Sequence, residues 1–398
     1  MLEITTLFAI IKHLPQSCLE EGIIEKRYVI LDRFPKHITV SPISAAMAAA
    51  NAQQLLNSSW TLHRLSPLHH EKEFHTLLDN PAALKAYAAR LRDQITGNAF
   101  AGLQGAGTGT DDDALSRTGA LTNCTWEVMP TLSLLDPGQP PASTPDGYLW
   151  RSSGILVVLE YENAVYKAAL LAPPEDESRA RRETSATTYL PLLLTRLPNP
   201  LRQTFITFLA ANFDTYCSVL RLPSHIMCAC LETYVTRLAA KHDETILQNV
   251  VKELQLTLAF SPSVAPALRT LNFNIPRASL ASFVRPENPS GAVLSGLSAY
   301  MAKHLAMKLD FSATPVFRNT PEGEHIRLTK IACGGFVLAS EGRLKLVTNT
   351  KSQRPTTDQL ADGDADVQTE SDRRALRASE ALLQAVLRRA VSNDVEAT

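Results

Sequence analysis

The chain has 398 residues, 45% of them apolar, which is enough length for two or three domains and enough apolar matter for a substantial core. Charged residues make up 20% and the formal net charge is -1, so overall attraction to a polyanion is excluded and any nucleic-acid contact needs a local basic surface. The cysteines at 18, 124, 217, 228, 230 and 333 show neither paired zinc-ligand spacing nor a dense disulfide framework, which points to reduced thiols in a cytosolic or nuclear protein.

Residues 1–48 show no clear period and read as an N-terminal arm without an assigned function. The apolar run Leu7 to Ile11 is too short for a membrane span and lacks the flanks of a signal peptide. Trp60 to Pro67 (WTLHRLSP) mixes branched apolar residues with bases in the manner of a half-buried strand. Asp79, Asn80 and Pro81 then form a helix start, with Leu84, Tyr87, Ala88, Leu91 and Ile95 on one face and Gly97 as the expected stop. Gly102 to Asp113 reads as a mobile surface loop, and Pro137 to Gly147 as a second irregular stretch.

Gly154 to Tyr161 and Ala164 to Leu171 are β-prone runs separated by Glu162 and Asn163, the spacing of a tight hairpin. After a charged loop from Pro173 to Glu183, Asn199 and Pro200 repeat the cap signal, and a further helix is expected from Ser224 with Ile226, Met227, Cys230, Leu231, Tyr234, Val235 and Leu238 as its core stripe. Strict alternation marks strands at Leu254 to Phe260 and Leu271 to Ile275, a helix follows over Val293 to Leu309, and Glu341 with Gly342 turns a hairpin between Gly335–Ser340 and Arg343–Val347. Segregated strand and helix groups predict an α+β fold with largely antiparallel pairing. Thr350 to Asp372 is acidic and reads as a disordered linker. Beyond it Leu376, Leu383, Val386 and Leu387 share a helix face, which either packs back on its own domain or docks on a partner.

Chemistry-bearing groups are sparse. Gly102, Gly105, Gly107 and Gly109 lack the lysine of a phosphate loop, and three following aspartates would repel an anion. His69, His70, Glu71 and His75 read as solvated polar residues before a helix, and Cys228 with Cys230 as packing residues without a second ligand pair. No nucleophile elbow or ordered triad is present, so the sequence points to no catalytic, cofactor-binding or metal site. An enzyme of unfamiliar design would have to use His63, His69 or Cys333. Among the bases, Lys85 and Arg92 project from one side of the first helix as a positive ridge. Arg64, Lys330, Arg343 and Lys345 sit in strands whose exposed face could extend a DNA-binding surface, although taken singly each base reads first as an ordinary solubilising charge.

The segments WTLHRLSPLHH, ALKAYAARLRD, LSRTGALTNCTWE, GILVVLEYENAVYKAALL, YLPLLLTRLPNPLRQTFITFL, LQLTLAFSPSVAPALRTLNFNIPR, LSAYMAKHLAMKLD and IRLTKIACGGFVLASEGRLKL, in this order from about Ser58 to Leu346, resemble the fungal branch of the CENP-L family of inner-kinetochore subunits. The resemblance implies a non-catalytic α+β scaffold of the nucleus and centromere with a curved, mainly antiparallel sheet. Its partners would be a CENP-N-like subunit, other members of the constitutive centromere-associated network and centromeric nucleosome DNA. The family's pairing surface lies in the C-terminal half. Exposed strand edges are natural docking sites, and Phe336, Val337, Leu338, Leu344, Leu346 and Val347 are expected there. The implied organisation is an arm (1–48), an N-terminal α+β part (49–172), a charged loop (173–188), a C-terminal α+β part with the dimerisation sheet (189–349), the acidic linker (350–372) and a helix with its tail (373–398). An adaptor that forms homodimers through the same edge, without DNA contact, is the alternative.

Overall fold

The computed structural model describes residues 52–70, 73–78, 80–102, 117–135, 153–173, 183–184, 187–239, 244–263, 266–283, 292–306, 309, 311, 325–348 and 362–392. Strand β1 (Ser59–Leu65) is followed by the short β2 (Leu68–His69) and helix α1 (Pro81–Gly102). Next come β3 (Leu121–Met129), β4 (Gly154–Tyr161), β5 (Val165–Leu171), the short β6 (Glu183–Thr184) and β7 (Thr187–Thr188), β8 (Leu192–Arg196), α2 (Asn199–Phe213) and β9 (Cys217–Val219). The second half runs through α3 (Ser224–Ala239), α4 (Glu244–Val251), β10 (Glu253–Phe260), β11 (Thr270–Pro276), α5 (Arg277–Phe283) and α6 (Ala292–Leu305). It ends with β12 (Ile326–Ala332), β13 (Phe336–Ala339), β14 (Arg343–Leu346) and α7 (Asp362–Val391).

The fold is α+β, built on one large antiparallel sheet that does not close into a barrel. Among the described residues its order is β11-β10-β12-β13-β14-β1-β8-β5-β4-β3, with β9 paired to the end of β1. β1, from the N-terminal part, lies between β14 and β8, so strand pairing runs without interruption from one half of the chain to the other.

Strand alternation divides the side chains between two cores. One face carries Trp60, Leu62, Leu156, Leu171, Leu192, Leu194, Leu256, Ile331, Phe336, Leu338, Leu344 and Leu346, covered by apolar residues of α3 to α7. The opposite face carries Ile155, Val157, Leu159, Ala168, Leu170 and Leu193, covered by α1 and α2 with Tyr87, Leu91, Phe205 and Phe208. The second layer of helices therefore stops near β1. From β14 outward to β11, no described element covers that second face.

Local signals explain most element boundaries. The Asn80 carboxamide accepts a hydrogen bond from the Ala83 amide at 3.1 Å, capping α1 as its sequence predicts. The helix does not stop at Gly97 but continues to Gly102, because a glycine inside a helix is only a modest penalty when its neighbours propagate the turn. Asn199 does not cap α2: Pro198 holds the cap position, and the Asn199 side chain instead accepts from Arg202. α6 ends at Leu305, short of the expected Leu309, where Ala306 takes a left-handed backbone with φ 55°.

Two expectations are corrected. Phe336–Leu338 and Leu344–Val347 offer no sheet edge. β13 is paired to β12 and β14 on its two sides, β14 to β13 and β1, and the amide of Val347 donates to the Gly335 carbonyl. Phe336, Leu338, Leu344 and Leu346 are core residues, with 0%, 0%, 1% and 1% exposure. The acidic stretch is helical from Asp362, where α7 begins; residues 350–361, the N-terminal arm and most of the three expected loops lie outside the described residues. α7 packs back onto its own domain. Ala375, Ala378, Leu382, Leu383, Val386, Leu387 and Ala390 are buried with α3, α4 and the sheet, while Leu376 stays half-buried.

Candidate nucleic-acid interface

The uncovered sheet face is built by alternate residues of six strands. Odd-numbered positions of β10 (Gln255, Thr257, Ala259) meet Asn274, Asn272 and Thr270 of β11 on one side and Ala332, Lys330 and Arg327 of β12 on the other. A register shift between Thr257 and Leu258 keeps Lys330 and Arg327 on one face although they are an odd number of residues apart. Ala339 stands opposite Lys330 and next to Arg343 of β14, and Val337 opposite Ala332 and next to Lys345. Ser59 and Thr61 of β1 close the row, opposite Lys345 and Arg343.

Four cations thus share one face: Arg327, Lys330 and Arg343 are exposed and Lys345 half-exposed. Ion pairs such as Arg90 with Glu73, Arg92 with Asp93 and Arg374 with Glu370 lie elsewhere, and none of the four is neutralised by a described carboxylate. Around them lie hydroxyl, amide and small side chains, including the Thr257 hydroxyl donating to the Asn272 carboxamide oxygen at 2.7 Å. Lys330 and Arg343 are separated by one intervening strand, which sets their backbones about 10 Å apart at normal strand spacing. Such a surface offers charge and hydrogen-bond donors without the aromatic side chains that stack on bases.

The six bases expected to form a DNA surface divide into three groups. Lys330, Arg343 and Lys345 come together on this face, and Arg327 joins them; plain alternation from Lys330 would put it on the opposite face, and only the register shift at Thr257/Leu258 brings it here. Lys85 and Arg92 are both exposed on α1, on the helix face turned away from the core, with Arg92 donating to Asp93 at 3.3 Å. Arg64 is half-buried in β1 in phase with Trp60 and Leu62, and so points to the side of the sheet opposite Arg343.

The groups an enzyme would need are dispersed. His63 stands in β1 with its Nε2 3.2 Å from the Thr195 hydroxyl. Burial first, and then the positive charge of Arg202, bring its pKa down to about 4. Cys333 lies in the turn between β12 and β13, with β14 between it and β1, and burial pushes its thiol up to about 11. Burial likewise pushes Cys228 and Cys230 up to about 12, which makes them packing groups and not thiolates. His69 and His75 are exposed, whereas His70 is buried and engaged at both nitrogens: Nδ1 donates to the Phe74 carbonyl at 2.7 Å and Nε2 meets the Thr188 hydroxyl at 2.8 Å. Among the described residues no three His, Cys, Asp or Glu side chains gather as a metal site requires, and no described helix is long and apolar enough to cross a membrane.

A family model for centromere protein L (CENP-L) matches residues 54–391, from the turn before β1 to the last residue of α7. The chain belongs to the CENP-L family. A comparison with curated proteins finds no match. The CENP-L match spans both cores, the uncovered face and the C-terminal helix, so all of these belong to the family domain. CENP-L membership makes the chain a structural, non-catalytic subunit of the inner kinetochore, which acts at centromeres in the nucleus.

Proposed function

We propose that this CENP-L family member lays the uncovered half of its sheet along the phosphate backbone of centromeric DNA while pairing through its C-terminal half with a CENP-N-like subunit. The observation that carries the DNA reading is the convergence of Arg327, Lys330, Arg343 and Lys345 on one face with no carboxylate among the described residues bound to any of them. A chain of net charge -1 gains no general attraction to DNA, so a local array of this kind has to supply it. With no aromatic side chain among the described residues of the face, recognition is of backbone charge and not of base sequence.

Pairing with the partner belongs at the open edge of the C-terminal half. That edge is β11, the terminal strand of the sheet on that side. Leu271 and Phe273 on it are half-buried, and Leu268 just before it is 46% exposed, so a strand added here would cover apolar surface as well as backbone groups.

Titration of duplex DNA of unrelated sequences with the chain, alone and with its partner, tests the reading. Lys330→Glu with Arg343→Glu should weaken binding equally for all sequences and lower the slope of log affinity against log salt by about two. Lys85→Glu with Arg92→Glu tests the α1 ridge separately. An unchanged slope in the sheet-face variant removes the platform from the DNA reading.

A further inference from the structure

β10 does not end its alternation at Phe260. The Ser261 amide donates to the His325 carbonyl at 2.7 Å, and the Phe260 amide to the Arg269 carbonyl at 2.9 Å, so Ser261 remains in register with β12. It is the next residue in phase with Gln255, Thr257 and Ala259, and the cross-strand neighbour of Ala259 is Arg327. Ser261 therefore stands at the rim of the cationic face, on its side.

Ser261 is followed by Pro262, and Pro262 and Ser263 are exposed. The Ser261 hydroxyl is 2.8 Å from that of Ser263, a contact between two rotatable groups at the surface. The other Ser-Pro pair among the described residues, Ser66-Pro67, is built into the fold. The Ser66 oxygen accepts from the Tyr216 amide at 2.8 Å and lies 3.0 Å from the Thr215 hydroxyl, while the Ser66 amide donates to the Tyr216 carbonyl. A kinase that requires proline after the acceptor serine can approach the first of these and not the second.

We propose that Ser261 is the acceptor for a proline-directed protein kinase, and that its phosphate turns down polyanion binding by the sheet face; the second half rests on the DNA reading above. In the transfer the Ser261 oxygen bonds to the γ-phosphorus of ATP. The bond to the bridging oxygen of the β-phosphate breaks, ADP leaves and the hydroxyl proton passes to solvent. The phosphoserine carries a charge of about -1.5 to -2 and strong acceptor oxygens. On this face Arg327 stands opposite Ala259, the in-phase position before Ser261, so the phosphate adds negative charge diagonally beside one of the four cations and repels the incoming backbone.

The test uses the full chain, ATP and a cyclin-dependent kinase, with intact-mass and peptide mapping as the first readout. Phosphate on Ser261 that is lost in Ser261→Ala and in Pro262→Ala is expected. Absence of phosphate at Ser261 under conditions where a Ser-Pro reference peptide is fully modified overturns the site. The second readout is duplex DNA affinity of the modified chain, expected to fall about three- to tenfold with a salt slope lower by about one. Unchanged affinity in the modified chain, where Lys330→Glu with Arg343→Glu does weaken binding, overturns the regulatory half. If that charge reversal also changes nothing, the DNA reading of the face fails, and the modification stands or falls on the mapping alone.

Discussion

The hydroxyl of Tyr234 fills the space into which a side chain at Gly335 would project. Tyr234 is fully buried on α3, its ring centroid lies 4.8 Å from that of Phe336, and burial holds its phenol well above the usual range. The contact fixes how closely α3 approaches the turn into β13. Gly335→Ala should lower stability to urea by about 1–3 kcal/mol through overpacking. Tyr234→Phe removes the atom in the way, so the double variant should be more stable than the sum of the two single costs allows. Strict additivity of the two costs would show that the contact is not what excludes a side chain at 335.

His63 is buried at the border between the α2-covered and the open half of the sheet, and its pKa is lowered to about 4 by burial and then by Arg202. The folded state therefore binds its proton less readily than the unfolded chain does. Protons favour unfolding wherever only the unfolded ring is charged, so this contribution is intact above about pH 6.5 and is lost as pH falls toward 4. Over that window it amounts to up to about 3 kcal/mol. His63→Gln, compared with the parent by denaturant titration at pH 7 and pH 4.5, should lose less stability on acidification. Equal losses would mean that the imidazole is solvated enough to charge in place.

What could be read from the sequence followed from surface exposure. Elements with one wet face, such as β10, β11 and the hairpin turned by Gly342 at φ 80°, alternate clearly, and α1 and α3 carry unambiguous stripes. β8 went unseen because Leu192 and Leu194 face one core and Leu193 the other, so LLLTR shows no alternation at all. β3 was hidden for the opposite reason: it is a terminal strand with half-exposed residues on both sides and an irregular register near Leu121. Of the candidate site, the individual bases were visible in strands, but which of them share a face depends on the shift at Thr257/Leu258 and on pairing partners far away in sequence. The same non-local pairing turned Phe336 and Leu344 from edge residues into core.

β11 leaves one side of its backbone without a described partner strand, and Phe273 is its central apolar side chain. Asn272→Pro takes an amide from the strand and Phe273→Asp places a charge where a partner strand would pack; neither touches the four cations. Both variants should fail to co-purify with a CENP-N-like subunit, and Phe273→Asp, whose side chain lies on the face opposite the cations, should retain the parent's duplex DNA affinity as a single chain. Wild-type recovery of the partner with Phe273→Asp would move the pairing surface off this edge.

The C-terminal helix is held by its middle and its end. Leu382, Leu383, Val386, Leu387 and Ala390 are buried together with α3 and α4, and the Leu134 amide donates to the Glu380 carboxylate at 3.4 Å, tying α7 to the segment after β3. Burial raises the Glu380 pKa, and the hydrogen bonds from the Leu134 amide and the Ser133 side chain oppose that rise in a partly dry seam. A helix that waited for another protein would be free in the isolated chain. One seated in its own core is not. Hydrogen exchange on the chain without partner should therefore show the amides of residues 378–390 protected, with exchange near the global unfolding limit and faster exchange toward Asp362. Leu387→Ala should cost about 2–5 kcal/mol, as expected for a fully buried leucine whose space cannot collapse. Rapid exchange through 378–390, or a cost within about 0.5 kcal/mol of zero, would return α7 to the surface and make it available to a partner.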